Sequence, residues 1–122
     1  MAVESLFPIL LTRDLPRLVS FYESALHGRV DYRFGSAEED DYVSLTFGSA
    51  SLGIGRDPDA ATSGDRVALW FYVDDVDAAF ERWREAGGAI SSPPADMPWG
   101  ERVAQVRDPD GNLVNLGARP AA

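Results

Sequence analysis

The second half of the chain repeats the pattern of the first. Asp14 and Asp75 precede matching apolar stripes and lie 75 − 14 = 61 residues apart, which is half of the 122 residues. The same spacing separates Leu15 from Val76, Leu18 from Ala79, Val19 from Phe80, and Tyr22 from Trp83. Such a repeat indicates one supersecondary unit used twice, and two copies are too few for a solenoid. We therefore predict one domain, with module one at 1–56, a linker at 57–66 and module two at 67–122.

Each half predicts a strand, a helix and three further strands. Aspartate is a favoured helix N-cap, and apolar residues spaced by three and four follow Asp14 and Asp75, so two amphipathic helices are predicted. Gly28 is predicted to end the first helix, and Gly87 with Gly88 the second. The proline-rich segment 92–98 is predicted to be a loop. Apolar runs and alternation predict strands at 6–11, 29–34, 42–47, 51–56, 67–73, 89–92, 101–107 and 113–116.

The predicted fold class is α+β. One helix covers only one face of its sheet, so the other face of each module stays uncovered. Two tandem βαβββ modules are therefore expected to form a curled mixed sheet with a concave cavity and with the helices on the outer face. Small-molecule sites favour such concave surfaces, so the functional residues are expected there.

Composition narrows the classes of protein. Hydrophobic residues make up 45% of the chain, enough for a packed core, and the longest apolar run, 67–73, is far shorter than a membrane span. The first residues lack the pattern of a signal peptide. A soluble cytoplasmic protein with no membrane partner is expected.

Charge and cysteine content exclude other classes. The net charge of −9 repels phosphate backbones, so nucleic acid is not an expected partner, whereas a cationic ligand would be attracted. The chain has no cysteine, which excludes disulfides, a thiolate nucleophile and a zinc finger. The expected partner is a small molecule.

The C-terminal region carries a motif. Pro98-Trp99-Gly100 leads into a β-prone run, and Asp108-Pro109-Asp110-Gly111-Asn112 follows as a turn before the last strand. Together with the βαβββ repeat, this hairpin resembles the closing signature of the vicinal oxygen chelate superfamily, which contains glyoxalases, bleomycin-resistance proteins and extradiol dioxygenases. The resemblance covers nearly the whole chain.

The resemblance also implies where a metal would bind. The four ligand positions of that family, carried over to this chain, hold Phe7, Gly53, Ala68 and Asn115. None of these is His, Glu, Asp or Cys, so no metal and no other cofactor is expected. The single histidine, His27, lies at a helix end, where a structural role is expected.

The candidate ligand-binding residues are aromatic and polar side chains of the expected cavity. Alternation from Ala68 directs Trp70 and Tyr72 into it, and Trp99 lies in a loop at its mouth. These rings could instead simply fill the cavity. The sequence does not decide whether Glu101 or Arg102 projects inward. The predicted ligand-binding set is Trp99, Trp70, Tyr72, Phe7, Tyr42, Asn115 and Arg102.

Two main functions are compatible with these residues. The first is a metal-free protein that sequesters an aromatic, cationic antibiotic or natural product, similar to the bleomycin-resistance branch, and the resemblance implies a homodimer with ligand sites at the subunit interface. The alternative is an enzyme of the same family, a lyase, isomerase or dioxygenase. No catalytic residue is predicted, because no paired acid and base or activated nucleophile is evident. A protein-interaction or regulatory module on the same fold is the third possibility.

Overall fold

Eight strands and two helices follow one another in the order β-α-β-β-β, twice. The computed structural model describes residues 2, 4–61 and 67–120. In chain order the elements are β1 (Ile9–Thr12), α1 (Leu15–Leu26), β2 (Arg29–Gly35), β3 (Asp40–Phe47), β4 (Ala50–Arg56), β5 (Ala68–Tyr72), α2 (Val76–Glu85), β6 (Ala89–Asp96), β7 (Arg102–Arg107) and β8 (Leu113–Ala118). The predicted α+β fold of two tandem βαβββ modules is confirmed. Of the predicted linker, residues 62–66 lie outside the described residues.

The strands form two separate four-stranded mixed sheets of the same topology. Sheet one has the order β1-β4-β3-β2 and sheet two the order β5-β8-β7-β6, with the first pair parallel and the others antiparallel in each. Ile9 of β1 lies opposite Gly53 of β4, and Trp70 of β5 lies opposite Asn115 of β8. Gly53 and Asn115 are therefore structural counterparts in the two modules.

Both helices begin at the predicted aspartates. An Asp14 carboxylate oxygen accepts a hydrogen bond from the Arg17 amide at 3.2 Å, and Asp75 accepts one from the Ala78 amide at 3.1 Å. These bonds satisfy amide groups that have no partner within the helix. The two caps, like the residues they bind, are 61 positions apart, so the repeat extends to the capping geometry.

The first helix ends one residue earlier than Gly28 suggests. His27 takes the left-handed conformation, with φ 59°, and the amide of the following Gly28 donates to the Tyr22 carbonyl at 3.1 Å. Histidine tolerates this conformation less well than glycine. Gly28 follows, and a β-carbon there would lie 2.9 Å from the Phe47 ring. Glycine is required at position 28 for close packing, whereas the helix is stopped at His27.

The two helices pack against each other and join both sheets in one core. The predicted apolar stripes are buried, and Phe21, which the spacing did not include, is buried with them. The Phe21 and Trp83 rings make an edge contact at 4.8 Å between centroids. The Trp83 indole nitrogen also donates to the Arg107 carbonyl at 3.0 Å. No described helix has the length and apolar character needed to span a membrane.

A buried polar contact ties module one to the last hairpin. The Tyr22 hydroxyl of α1 donates to Asp108 at 2.8 Å, and Asp108 lies in the turn between β7 and β8. The Asn112 side chain donates to the same carboxylate at 2.8 Å, and the amides of Asp110 and Asn112 donate to its other oxygen at 2.9 Å. The Asp-Pro-Asp-Gly-Asn turn is therefore held to helix α1 by one carboxylate.

Most strand boundaries differ from those predicted, by no more than four residues. β1 begins at Ile9 rather than position 6, after Pro8, which has no amide hydrogen to donate. β6 runs to Asp96, so the prediction of a loop from position 92 was wrong. Pro93 and Pro94 fit there because β6 is an edge strand, and its register against β7 shifts between Ser92 and Ala95. β8 extends two residues past the predicted end, to Ala118.

Candidate functional site

Each sheet has one uncovered face, and the uncovered face of sheet two carries large aromatic side chains. In β5, Leu69 and Phe71 pack against the core, while Trp70 and Tyr72 point the other way and are 42% and 46% exposed. Trp99, in the turn between β6 and β7, is 60% exposed. The alternation from Ala68 predicted the same separation, with Trp70 and Tyr72 on one face and Leu69 and Phe71 on the other. We name this surface the tryptophan face; it also includes Glu101 and Arg119.

Glu101 holds two of the rings in place. One carboxylate oxygen accepts a hydrogen bond from the Trp99 indole nitrogen at 2.7 Å, and the other accepts one from the Tyr72 hydroxyl at 2.7 Å. Trp99 belongs to a turn and Tyr72 to the opposite edge strand of the sheet. The Glu101 carboxylate therefore connects the turn between β6 and β7 to strand β5, and it orients both rings.

These bonds also fix the ionisation of the pair. The hydrogen bonds from Tyr72 and then Trp99 lower the pKa of the Glu101 carboxyl below its ordinary value. The bond to Glu101 is in turn the main reason that the pKa of the Tyr72 hydroxyl is raised. At neutral pH, Glu101 is therefore a carboxylate and Tyr72 a neutral phenol that donates.

Gly117 makes room for the Trp70 ring on the sheet. In β8, Gly117 lies opposite Tyr72 of β5, and a β-carbon on it would lie 2.8 Å from the Trp70 indole. The Trp70 and Tyr72 ring centroids are 5.8 Å apart, with their planes at 59°. Beside them, Asn115 is buried and its side-chain oxygen accepts a hydrogen bond from Gln105 at 3.1 Å. Beneath the rings, the sheet therefore presents Gly117 and the hydrogen-bonded pair Gln105 and Asn115.

Arg119 places a positive charge on this surface. Its guanidinium carbon lies 4.0 Å from the centroid of the Tyr72 ring, a cation–π contact. Its charge contributes to lowering the pKa of Glu101. Arg119 was not among the residues predicted from the sequence, and neither was the extension of β8 to Ala118 that places Arg119 beside Tyr72. One signal was present, because Arg119 lies two residues after Gly117, at the spacing that returns to the same face of a strand.

Arg102 lies on the other side of sheet two. Its guanidinium pairs with Asp77 of α2 at 2.9 and 3.0 Å and with Asp96 at 3.1 Å. Asp77 lies in the first turn of α2, so Arg102 faces the helix, in step with the core residue Ala104 of the same strand. Of the two residues left open by the sequence, Glu101 joins the tryptophan face and Arg102 does not.

Tyr42 lies on sheet one rather than beside the tryptophans. Its ring covers Gly53, where a β-carbon would lie 2.9 Å from a Tyr42 ring carbon, and it contacts Tyr32 at 6.2 Å between centroids. Phe7 precedes β1 and is 47% exposed. We name the uncovered face of sheet one the tyrosine face; its large side chains are those of Ile9, Leu11, Tyr32, Phe34 and Tyr42. The predicted site residues therefore do not share one surface: Tyr42 lies on the tyrosine face, and Arg102 lies on the helix-covered side of sheet two.

The residues that the resemblance places at metal positions do not supply ligands suited to a divalent ion. Asn115 is the one polar side chain among the four, and its oxygen already accepts a hydrogen bond. Within residues 4–61 and 67–120, no three His, Cys, Asp or Glu side chains lie together as a possible metal site. Carboxylate, imidazole or thiolate ligands are what such ions require.

The tryptophan face is suited to binding rather than to proton transfer. An efficient general base has a pKa near the working pH, whereas that of Glu101 is lowered and both of its oxygens already accept hydrogen bonds. Exposed indole and phenol rings offer area for stacking a planar molecule. The arrangement can hold an aromatic ring between oriented side chains.

The chain is similar to a known protein family and to individual known proteins. The family model described as Glyoxalase/Bleomycin resistance protein/Dioxygenase superfamily matches residues 5–116. The protein named "Putative glyoxylase CFP32" from Mycobacterium tuberculosis is 29% identical over 106 residues, covering 87% of this chain and 41% of that protein. This chain therefore spans less than half of the length of that relative.

Two solved structures share the fold along nearly their whole length. TioX from Micromonospora sp. ML1 superimposes with a TM-score of 0.78 and 25% sequence identity, over 98% of each chain. A bleomycin resistance determinant encoded on the transposon Tn5 gives a TM-score of 0.76 at 21% identity, over 98% of this chain and 100% of that one. Both modules of this chain are therefore matched in solved structures over nearly the whole of each chain.

Proposed function

Since the chain belongs to the glyoxalase/bleomycin resistance protein/dioxygenase superfamily, we propose that it is a metal-free binding protein that sequesters a planar aromatic small molecule, such as an antibiotic or other natural product. The likeness to a bleomycin resistance determinant supports this proposal at the level of fold. The net charge of −9 favours cationic ligands at long range. The cytoplasmic location expected from the sequence stays a prediction.

One observation carries the proposal: Glu101 orients Trp99 and Tyr72 on an exposed surface, through two hydrogen bonds of 2.7 Å. Exposed rings could otherwise bond to water, so the bonds to Glu101 are what fixes the orientation of Trp99 and Tyr72. Rings fixed before a ligand arrives lose less conformational entropy on binding, which favours affinity. Trp70, seated over Gly117, provides a further ring for the same ligand.

We further propose that the active form is a homodimer with its ligand sites between subunits. Large apolar side chains on both the tyrosine face and the tryptophan face are exposed in one chain. Exposed apolar patches of this kind mark interaction surfaces. Because the two helices pack together, the uncovered faces turn away from the shared core. Seating the tyrosine face of one copy opposite the tryptophan face of the other would cover both and enclose two sites.

Replacing Phe34 by aspartate is expected to weaken this dimer. Phe34 lies on an edge strand, is 62% exposed and belongs to the tyrosine face. A carboxylate there would be desolvated in the interface without a partner. Sedimentation equilibrium should find a dimer for the wild type and a dissociation constant raised at least about tenfold for the variant. Ser24→Asp, on the exposed side of α1, adds the same charge elsewhere and should leave the dimer unchanged; a monomeric wild type would disprove the arrangement.

Binding is tested with a panel of aromatic natural products that includes bleomycin. A ligand of the folded form raises the melting temperature, so a thermal-shift screen finds it, and isothermal titration then gives the affinity. Trp99→Ala is expected to lower that affinity about tenfold or more, since a stacked aromatic anchor contributes at least about 1.4 kcal/mol. The far-ultraviolet circular dichroism of the variant should match the wild type. A panel without any shift, or an affinity unchanged by Trp99→Ala, would refute the proposal.

An enzyme remains the alternative because one relative carries the name "Putative glyoxylase CFP32". Elemental analysis of protein purified without chelator separates the two functions. Nickel, zinc, iron or manganese in stoichiometric amount would favour the enzyme. The side chains at the family's metal positions favour binding without a metal.

A further inference from the structure

We propose that Arg119 selects ligands that carry an acidic group beside their aromatic ring. This inference rests on the proposed function, because it concerns the same tryptophan face. It reverses the sign of charge expected from the composition, since a net charge of −9 by itself favours cations. The reason lies in which charges of the site are already paired.

The Glu101 carboxylate of the tryptophan face is already occupied. Both Glu101 oxygens accept hydrogen bonds, from Trp99 and from Tyr72, and these bonds hold the rings. A ligand cation drawn to Glu101 would have to share an oxygen with a donor that is already in place. Glu101 is therefore a positioning residue for the rings, and its charge is already partly compensated.

The Arg119 guanidinium of the tryptophan face keeps its donors available. Arg119 contacts the π-face of Tyr72, and in the described part of the chain its guanidinium makes no hydrogen bond and no ion pair within 4.0 Å. A guanidinium has five N–H donors in one plane, in a geometry that matches a carboxylate, sulfonate or phosphate. The N–H groups of Arg119 can therefore donate hydrogen bonds to an acidic group of a ligand.

A ligand on the tryptophan face is affected more by the nearby charge of Arg119 than by the net charge of the whole chain. A planar ligand stacked on Trp70 and Tyr72 shares the Tyr72 ring with Arg119, so an acidic substituent at its edge lies beside the guanidinium, whereas a cationic substituent meets a like charge. The screening length is about 8 Å at physiological ionic strength, so acidic residues elsewhere on the chain count for little at this range. The geometry therefore favours aromatic acids.

Three probes of equal ring size test this inference: 2-naphthoate, 2-naphthylmethylammonium and neutral 2-naphthalenemethanol, titrated calorimetrically into wild-type protein, Arg119→Gln and Arg84→Gln. We expect the wild type to bind 2-naphthoate about tenfold more tightly than the cation, and Arg119→Gln to lose about tenfold for 2-naphthoate alone. Arg84 lies exposed on α2, away from the tryptophan face. Arg84→Gln removes the same charge and should leave all three affinities unchanged.

The other outcomes separate this inference from the proposed function. If the wild type binds the neutral probe but prefers the cation, or if Arg119→Gln weakens all three probes equally, the role of Arg119 is disproved and aromatic binding stands. If no probe binds wild-type protein, both fail together. Equal losses in Arg119→Gln and Arg84→Gln would attribute the preference to overall charge and likewise overturn the assignment.

Discussion

Replacing Trp83 by alanine is expected to lower the free energy of unfolding by about 3–5 kcal/mol. Trp83 is fully buried, its ring meets Phe21 at 4.8 Å, and its indole nitrogen bonds the Arg107 carbonyl. Alanine would leave a cavity where the two helices meet, together with a partly buried carbonyl that has lost a partner. Small domains have only about 5–15 kcal/mol in total, so the variant should be partly unfolded at 37 °C. Urea unfolding followed by circular dichroism measures the loss.

Trp99→Ala is the matched control for this prediction. Trp99 is 60% exposed, so its removal is expected to change the free energy of unfolding by less than about 1 kcal/mol. The same variant is the one expected to lose ligand affinity. Stability and binding should thus be affected by different tryptophans, and equal destabilisation by the two substitutions would contradict the assignment of Trp83 to the core and Trp99 to the site.

Removing the Asp108 carboxylate is expected to be almost as damaging. Asp108→Ala would leave four donors without their acceptor: the Tyr22 hydroxyl, the Asn112 side chain and two turn amides. Each buried donor left unpaired costs about 1–3 kcal/mol, with partial relief from entering water, so a loss of about 3–5 kcal/mol is expected. Urea unfolding measures it. Asp31→Ala, at an exposed position of β2, should stay within about 0.5 kcal/mol of the wild type.

The same carboxylate should make stability depend on pH. Burial raises the pKa of Asp108 above its ordinary value, against hydrogen bonds from Asn112 and Tyr22 that lower it. Between the unfolded and the folded pKa, the folded chain holds this proton more tightly, so the contribution of Asp108 to stability falls as the pH rises through that window. Asp108→Asn has no such proton. The stability of the variant relative to the wild type should therefore improve from pH 4 to pH 7; a constant difference would contradict the burial of a charged carboxylate.

The two helices were predictable from short sequence patterns. The stripe Val76, Ala79, Phe80 and Trp83 is buried as its spacing requires, because a helical period places these residues on one face whatever surrounds them. The aspartate caps follow from the same local chemistry.

Segment 92–98 shows where prediction from local sequence failed. Two prolines indicate a loop by local rules, but an edge strand has amides that need no partner, and only the sheet order reveals that β6 is an edge.

The sequence by itself determined the duplication, the helix caps, the buried stripes and the placement of Trp70 and Tyr72 on the face of β5 opposite Leu69 and Phe71, because each of these follows from a pattern visible along the chain. Only the tertiary structure decided that Glu101 rather than Arg102 joins the rings, since the choice depends on which face of β7 the helix α2 covers. It also brought Arg119 onto Tyr72, through the pairing of β5 with β8 across 119 − 72 = 47 residues. Contacts between distant segments are set by packing, which no local pattern encodes.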